Sequence, residues 1–379
     1  MGFQREIFSE DHEIFRNSFR RFLEDEIAQH HDKWEAQGYV DRSAWLRAGE
    51  LGFLCTSIPE EFGGSGADRL YSAIIMEEVQ RLNLTGLGFG LHNDIVAPYI
   101  NAYGSEEQKK KYLPKMATGE MIGAIAMSEP GTGSDLQGVR TTALKDGNEL
   151  VVNGQKTFIT NGWNADVVIV VAKTDPSQGA KGISLVLLER DDAGFDKGRR
   201  LKKLGLKAQD TSELFFDNVR IPADRILGDE GKGFIYLMQE LAWERIQVAI
   251  SAAQAMETAV ELTVEYCKER KAFGKPLIEM QNTRFKLAEM KTIAKVARTF
   301  VDDCLVKVVD GQLDAETASM AKMWCSDMQN KVVDECLQLF GGYGFMWEYP
   351  ISRMYADARV QRIYAGTNEI MKEIIARGL

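Results

Sequence analysis

Two stretches of the chain carry residue types whose spacing could do chemistry. In the first, Ile125 to Asp135, the hydroxyls of Ser128, Thr132 and Ser134 and the carboxylate of Asp135 surround a turn built on Pro130, Gly131 and Gly133. Proline fixes one backbone angle and glycine accepts positive φ. The N–H groups freed in such a turn can converge on an anion or a polarised carbonyl, which makes a cofactor-docking surface. Pro-Gly and Gly-Ser are equally ordinary surface-turn dipeptides, so taken alone the loop supports either reading.

The second is Glu244. On the helix expected from Lys232, the stripe Leu237, Leu241, Val248 and Ala252 runs at four- and seven-residue steps, and Glu244 fills the place between Leu241 and Val248. A core-facing stripe is apolar, so this carboxylate is expected to be buried. Burial raises a carboxyl pKa, which suits a general base working on a weakly acidic C–H near neutral pH. The structural alternative is an ion pair with an arginine across the bundle. Arg245 cannot be that arginine, because consecutive helical residues point about 100° apart. Glu240, one turn earlier, is the competing base, on a more polar stripe with Tyr236, Trp243 and Gln247.

The elements that must position these groups fall into three regions. From Glu6 to about Glu120 the apolar residues recur at helical steps, as in Ile14, Phe15, Phe19, Phe22, Leu23 and Ile27, with a Pro- and Gly-rich loop at Ile58 to Gly66. After Ile122 the period changes. Leu150 to Thr160 reads as two strands joined by an Asn153-Gly154 turn, followed by β-rich runs at Val167 to Ala172, Ile183 to Leu188 and Leu214 to Phe216. From Gly231 long helical patterns return at about Lys232 to Arg270, Ile278 to Val309, Asp314 to Phe340 and Asn368 to Ala376. The expected architecture is α+β and multidomain: an N-terminal helical domain over residues 1–121, a small central β-barrel or sandwich over 122–229, and a C-terminal four-helix bundle over 230–379.

Length and composition bound the partners. At 379 residues, with 45% hydrophobic and 27% charged, the chain suits a soluble protein of more than one domain. A net charge of −10 argues against nucleic acid, which needs concentrated Lys and Arg. The N-terminus, Met1 to Ile7, turns acidic before an apolar run develops, so no targeting segment is expected, and the apolar runs are too short for a membrane span. The expected location is cytoplasmic. Five cysteines without C-x-x-C spacing suit buried thiols, and His30 and His31 lack ligand spacing, so no metal is expected.

Five motifs in order resemble those of the acyl-CoA dehydrogenases, across nearly the whole chain: Ala126 to Asp135, Gly154 to Gly162, Arg270 to Gly274, Gln338 to Gly344 and Ile363 to Ile370. The resemblance is nearest to the long-chain and isovaleryl type, and includes Asp210-Thr211 and the loop Met346 to Pro350. It implies that family's three-domain fold, FAD as cofactor and an acyl-CoA thioester as substrate. It further implies electron-transfer flavoprotein as acceptor and a homotetramer built as a dimer of dimers. By the same resemblance Ile125, Ala126, Met127, Ser128, Gly133 and Ser134 would line the flavin, with Ser134 also near the substrate's pantetheine arm. Phe158, Ile159 and Thr160 would cover the ring's other side. Arg270, Phe273, Gln281, Gln338, Leu339, Gly341 and Gly342, with Thr367, Asn368 and Glu369, would hold the rest of FAD, partly from a neighbouring subunit. Leu241, Arg245, Ala365 and Gly366 would meet the substrate.

The departure from the family pattern is Ala365, where most members carry the catalytic glutamate. Alanine keeps a backbone N–H for the thioester carbonyl but has no base. In the long-chain and isovaleryl types the base sits on the bundle helix just before an arginine, and Glu244-Arg245 matches. The implied reaction is removal of the α-proton by Glu244 with hydride transfer to flavin N5, giving a trans-2-enoyl-CoA. The rival readings are an acyl-CoA oxidase using oxygen and a non-catalytic acyl-CoA-binding scaffold. Gly86, Gly88 and Gly90 offer either room for a long or branched acyl chain or simple bends.

Overall fold

Seven helices open the chain in a computed structural model that describes residues 5–379; Met1 to Gln4, the first part of the N-terminal reading, lie outside the described residues. They are α1 Glu10–Phe22, α2 Ala28–Gln37, α3 Arg42–Glu50, α4 Arg69–Arg81, α5 Phe89–Leu91, α6 Ala97–Tyr103 and α7 Glu106–Ala117. Local chemistry fixes where two of them start. Ser9 and His12 close a capping box on α1, and Ser105 and Gln108 another on α7. Phe19, Phe22, Leu23 and Ile27 are buried as the periodicity predicts, whereas Ile14, assigned to the same stripe, is 58% exposed. A π-turn, His92–Val96, joins α5 to α6.

The central strands are β1 Gly123–Ala126, β2 Thr142–Asp146, β3 Glu149–Thr160, β4 Val167–Lys173, β5 Ile183–Glu189, β6 Phe195–Arg200, β7 Thr211–Pro222 and β8 Ile226–Leu227. They form one sheet in the order β6-β7-β3-β2-β4-β5-β8, with β1 parallel beside β4. One expectation fails here. Asn153-Gly154 is no turn: β3 runs unbroken through it, and the hairpin lies at Gly147 between β2 and β3. Gly154 has φ 146°, outside the left-handed value such a turn needs, and a Cβ there would lie 2.5 Å from Thr141 Oγ1. The glycine serves a bulge and a close approach, which a dipeptide cannot distinguish from a turn.

The chain then forms α8 Gly233–Glu269, a short hairpin of β9 Lys271–Ala272 and β10 Lys275–Pro276, α9 Gln281–Val309, α10 Ala315–Phe340, α11 Pro350–Ala358 and α12 Asn368–Ala376. Of these, α11 has no counterpart among the expected helices; it begins at Pro350, where the loop from Met346 ends. Small buried residues on α8, among them Ala249, Ala252, Ala253 and Ala259, let α9 and α10 pack closely against it, with α4 on another face. The five cysteines are free and buried. Among the described residues no helix is long and apolar enough to cross a membrane.

Candidate active site

Glu244 is buried on α8, 7% exposed. Its hydrogen-bond partner is Tyr99 of α6, whose hydroxyl donates to Oε1 at 3.1 Å. Burial lifts the carboxyl to about 7, the negative charge of Glu240 adds to the rise, and the Tyr99 hydroxyl and the Arg245 charge oppose it. Among the described residues no cation forms a salt bridge with it, so the ion-pair alternative fails. Glu240, the competitor, is half-buried and accepts from Tyr103 at 2.8 Å. Arg245 is also buried; its Nη1 reaches Ser319 of α10 at 3.3 Å and its Nε has no partner among the described residues.

Ala365 and Gly366 both take positive φ, 53° and 88°, in the turn before α12. A left-handed alanine is strained, and the strain is held from below. Lys322 of α10 is fully buried and donates to the Gly366 carbonyl at 2.8 Å and to Asn368 Oδ1 at 2.9 Å. The Asn368 amide donates in turn to Ser326 Oγ at 3.0 Å and Asp327 Oδ1 at 2.9 Å. Asn368, expected at the cofactor, thus has its side chain committed within its own chain. Thr367 caps α12, and Glu369 is exposed at its first turn.

The loop and the strand expected to sandwich a flavin do come together. Thr157 N–H donates to the Ser128 carbonyl at 3.0 Å. The fully buried Lys156 bonds the Met127 carbonyl at 3.0 Å and Glu129 Oε1 at 2.9 Å, while Glu129 accepts from the N–H groups of Arg140 and Thr141. This buried pair clips the turn to β3. Gly133 and Ser134 are exposed, and Gly131 and Gly133 face open space. Phe158, at φ 62°, is turned out of the sheet and 69% exposed. Ala126 and Ile159 lie in the sheet core, so they can offer a cofactor only their backbone.

A second surface lies at the far end of the bundle. Arg270, Gln338, Leu339, Gly341 and Gly342 line one cleft of about 580 Å³ with Tyr266 and Tyr343. Arg270 stands over the Tyr343 ring without a carboxylate partner among the described residues, a free cation suited to a pyrophosphate. Phe273 projects from the β9–β10 hairpin, 97% exposed at φ 52°, and Gln281 opens α9. This cleft is separate from Glu244.

Other readings resolve into structure. Gly86 and Gly88 have φ 82° and 83°, and a Cβ at either would crowd Gln209 N or Asn161 Oδ1, so they serve the backbone; Gly90 alone of the three faces open space. His31, Asp32 and Glu35 cluster as metal ligands would, but Arg353 pairs with both carboxylates and Trp347 donates to Glu35. Sequence reasoning missed Tyr99, Lys322 and the Glu129–Lys156 pair. Lys156 lies inside the Gly154 to Gly162 motif, yet nothing in that motif marks it as buried, and Tyr99 pairs across 145 residues.

Comparison with known proteins agrees along nearly the whole chain. Residues 9–120, 124–219 and 231–379 match the family models described as acyl-CoA dehydrogenase N-terminal, middle and C-terminal domains. The mitochondrial long-chain specific acyl-CoA dehydrogenase of Sus scrofa is 56% identical over 375 residues, covering 98% of this chain and 87% of that one. The crystal structure of an acyl-CoA dehydrogenase from Geobacillus kaustophilus superposes with a TM-score of 0.97 at 52% identity, covering 99% of both chains. One from Bacillus anthracis, solved with FAD, gives 0.91 at 35% identity, covering 99% of this chain and 68% of that one.

Proposed function

The chain belongs to the acyl-CoA dehydrogenase family and carries out FAD-dependent dehydrogenation of an acyl-CoA thioester; on that premise we propose that Glu244 is its α-proton base and the Ala365 N–H its thioester-oxygen donor. The observation that carries this is a buried carboxylate, raised to about 7 and free of any salt bridge among the described residues, in a chain with alanine at the turn before α12. A base with that pKa is part ionised at neutral pH and strong enough to take a proton from an activated C–H. The C–H itself is too weak an acid unless charge moving onto the thioester oxygen is met by fixed donors in a dry site.

FAD fits the two surfaces described. Ile125 to Ser128, Gly133 and Ser134 on one side and Phe158 to Thr160 on the other would hold its ring, and Arg270, Phe273, Gln281, Gln338, Leu339, Gly341 and Gly342 its pyrophosphate and adenosine. Thr367 and Glu369 would add contacts from the α12 end. Bound FAD supplies the acceptor for the β-hydrogen. The chain's own residues do the rest: Leu241 and Arg245 wall the acyl group, Gly366 lets the backbone approach it, and Glu244 receives the α-proton and returns it to solvent between turnovers.

The finer assignments follow from the same reading. The domains are taken as residues 1–121, 122–229 and 230–379. Electron-transfer flavoprotein is the acceptor, and the FAD surface at Arg270 is completed by another subunit in a homotetramer, which accounts for the exposure of Phe273 and of Phe345, 97% and 84%. We take the compartment to be a reducing one, the cytoplasm, in keeping with five buried cysteines that form no disulfide. Replacing Glu244 by Gln tests the central claim: the protein should purify yellow, and acyl-CoA should no longer bleach its flavin. Unchanged bleaching would move the role to Glu240. Repeating the wild-type assay over acyl-CoAs of graded length and branching reads out the substrate.

A further inference from the structure

Two tyrosine–glutamate pairs join α6 to α8. Tyr99 donates to Glu244 at 3.1 Å and Tyr103 to Glu240 at 2.8 Å, four residues apart on each helix and in antiparallel order. The pairs differ in setting. Tyr99 is fully buried, and Glu244 is its hydroxyl's partner; Tyr103 is half-buried, stacks on Tyr236 at 4.0 Å between ring centres, and shares its hydroxyl with Gln239 at 3.1 Å. A buried phenol filling space alone would do as well as phenylalanine; a hydroxyl aimed at the buried carboxylate of Glu244 is a directed contact.

The consequence concerns orientation. A glutamate side chain has several rotatable bonds, and a base must meet its C–H within a few tenths of an ångström to work well. The Tyr99 bond takes Oε1, and among the described residues no donor takes Oε2. We propose that Tyr99 is a positioning residue for proton abstraction, anchoring one oxygen of Glu244 so that the other is presented to the substrate's α-hydrogen. This rests on the reading of Glu244 as the base. The charged and titratable groups facing the carboxylate are Tyr99 from α6 and Glu240 and Arg245 from α8. Of these, only Tyr99 touches it through a hydrogen bond.

The test compares Tyr99→Phe with Tyr103→Phe in the FAD-loaded enzyme, reading kcat and KM against pH and, separately, the infrared band of the protonated Glu244 carboxyl, identified by its loss in Glu244→Gln. Tyr99→Phe should lower the high-pH plateau of kcat about tenfold or more with little change in KM, from lost orientation. It should also move the rising limb and the carboxyl titration to higher pH, because the hydroxyl favours the ionised form. Tyr103→Phe should do neither. Should Tyr99→Phe fold poorly, a difluorotyrosine placed at position 99 keeps the shape and strengthens the donor, and the limb should move to lower pH. A plateau within about twofold of wild type and an unmoved limb in Tyr99→Phe, or an unmoved limb with difluorotyrosine, overturns the proposal. If Glu244→Gln is inactive while the Tyr99 variants behave as wild type, only the role of Tyr99 falls; a fully active Glu244→Gln removes the base and its anchor together.

Discussion

Glu77 and Glu244 are both buried glutamates, 1% and 7% exposed, on helices α4 and α8 that pack together. Their charges have opposite fates. Around Glu77 stand three guanidinium groups, Arg5 at 2.6 Å, Arg16 at 2.9 Å and Arg298 at 2.6 Å, tying the N-terminal segment, α1 and α9 to α4. Burial alone would raise its pKa, but the charges of Arg298, Arg5 and Arg16 outweigh it and hold the carboxyl at about 2. Glu244 meets equal burial with one neutral hydroxyl and settles at about 7. At equal depth it is the number of cations in contact, rather than burial, that makes a carboxylate a strut or a reagent.

The largest effect that separates the two belongs to Glu244. Its replacement by Gln should cost about 10²–10⁴-fold in flavin reduction by acyl-CoA, measured in a single turnover, with the fold intact. The same replacement at Glu77 should leave flavin reduction per folded molecule unchanged but cost about 3–5 kcal/mol of stability in urea unfolding, because it strands buried arginines. The sign in pH is fixed by the depressed value: the Glu77 contribution is present above the unfolded carboxyl pKa and is lost as pH falls towards 2. If Glu77→Gln slowed the chemistry as much as Glu244→Gln, the division between strut and reagent would collapse.

Lys322 extends the comparison to a buried cation. It too lacks a salt bridge among the described residues, holds neutral acceptors on the turn of Ala365, and is lowered to about 8 by burial, with the Asp327 charge opposing and the Arg245 charge adding. Lys322→Met should lower kcat about tenfold by loosening the turn that presents the Ala365 N–H, less than the loss of an oxyanion donor outright. A stability loss with kcat unchanged would make Lys322 a strut like Glu77.

What could be read in advance follows the range of each interaction. Helix order, the β region and the exposed loop at Ser128 are local patterns of period, cap and turn, and they were legible. Glu244 was legible because a carboxylate broke an apolar stripe. The Asn153-Gly154 turn misled because a bulge and a turn use the same dipeptide, and only the approach of Thr141 decides between them. Tyr99 and Lys322 were invisible. Each acts through a contact between elements, 145 and 44 residues apart in the chain; Tyr99 fits the pattern of its own helix, and Lys322, though it breaks the buried stripe of Ala318, Cys325 and Cys336, points to no partner by sequence alone.

The smallest effect is the most exacting check on the electrostatics. A carboxyl raised to about 7 in the fold binds its proton more tightly folded than unfolded. The stability it confers is complete below the unfolded pKa and declines as pH rises through 7, where the wild type begins to carry a buried charge without a cation in contact. Glutamine is neutral throughout. Glu244→Gln should therefore match the wild type in urea unfolding near pH 5 and exceed it by about 1–2 kcal/mol near pH 8.5, even as it abolishes turnover. Glu77→Gln should show the reverse, a deficit that is greatest at neutral pH and narrows in acid. If Glu244→Gln gained nothing at high pH, some cation would have to be reaching Glu244 after all, and the two glutamates would differ in place but not in kind.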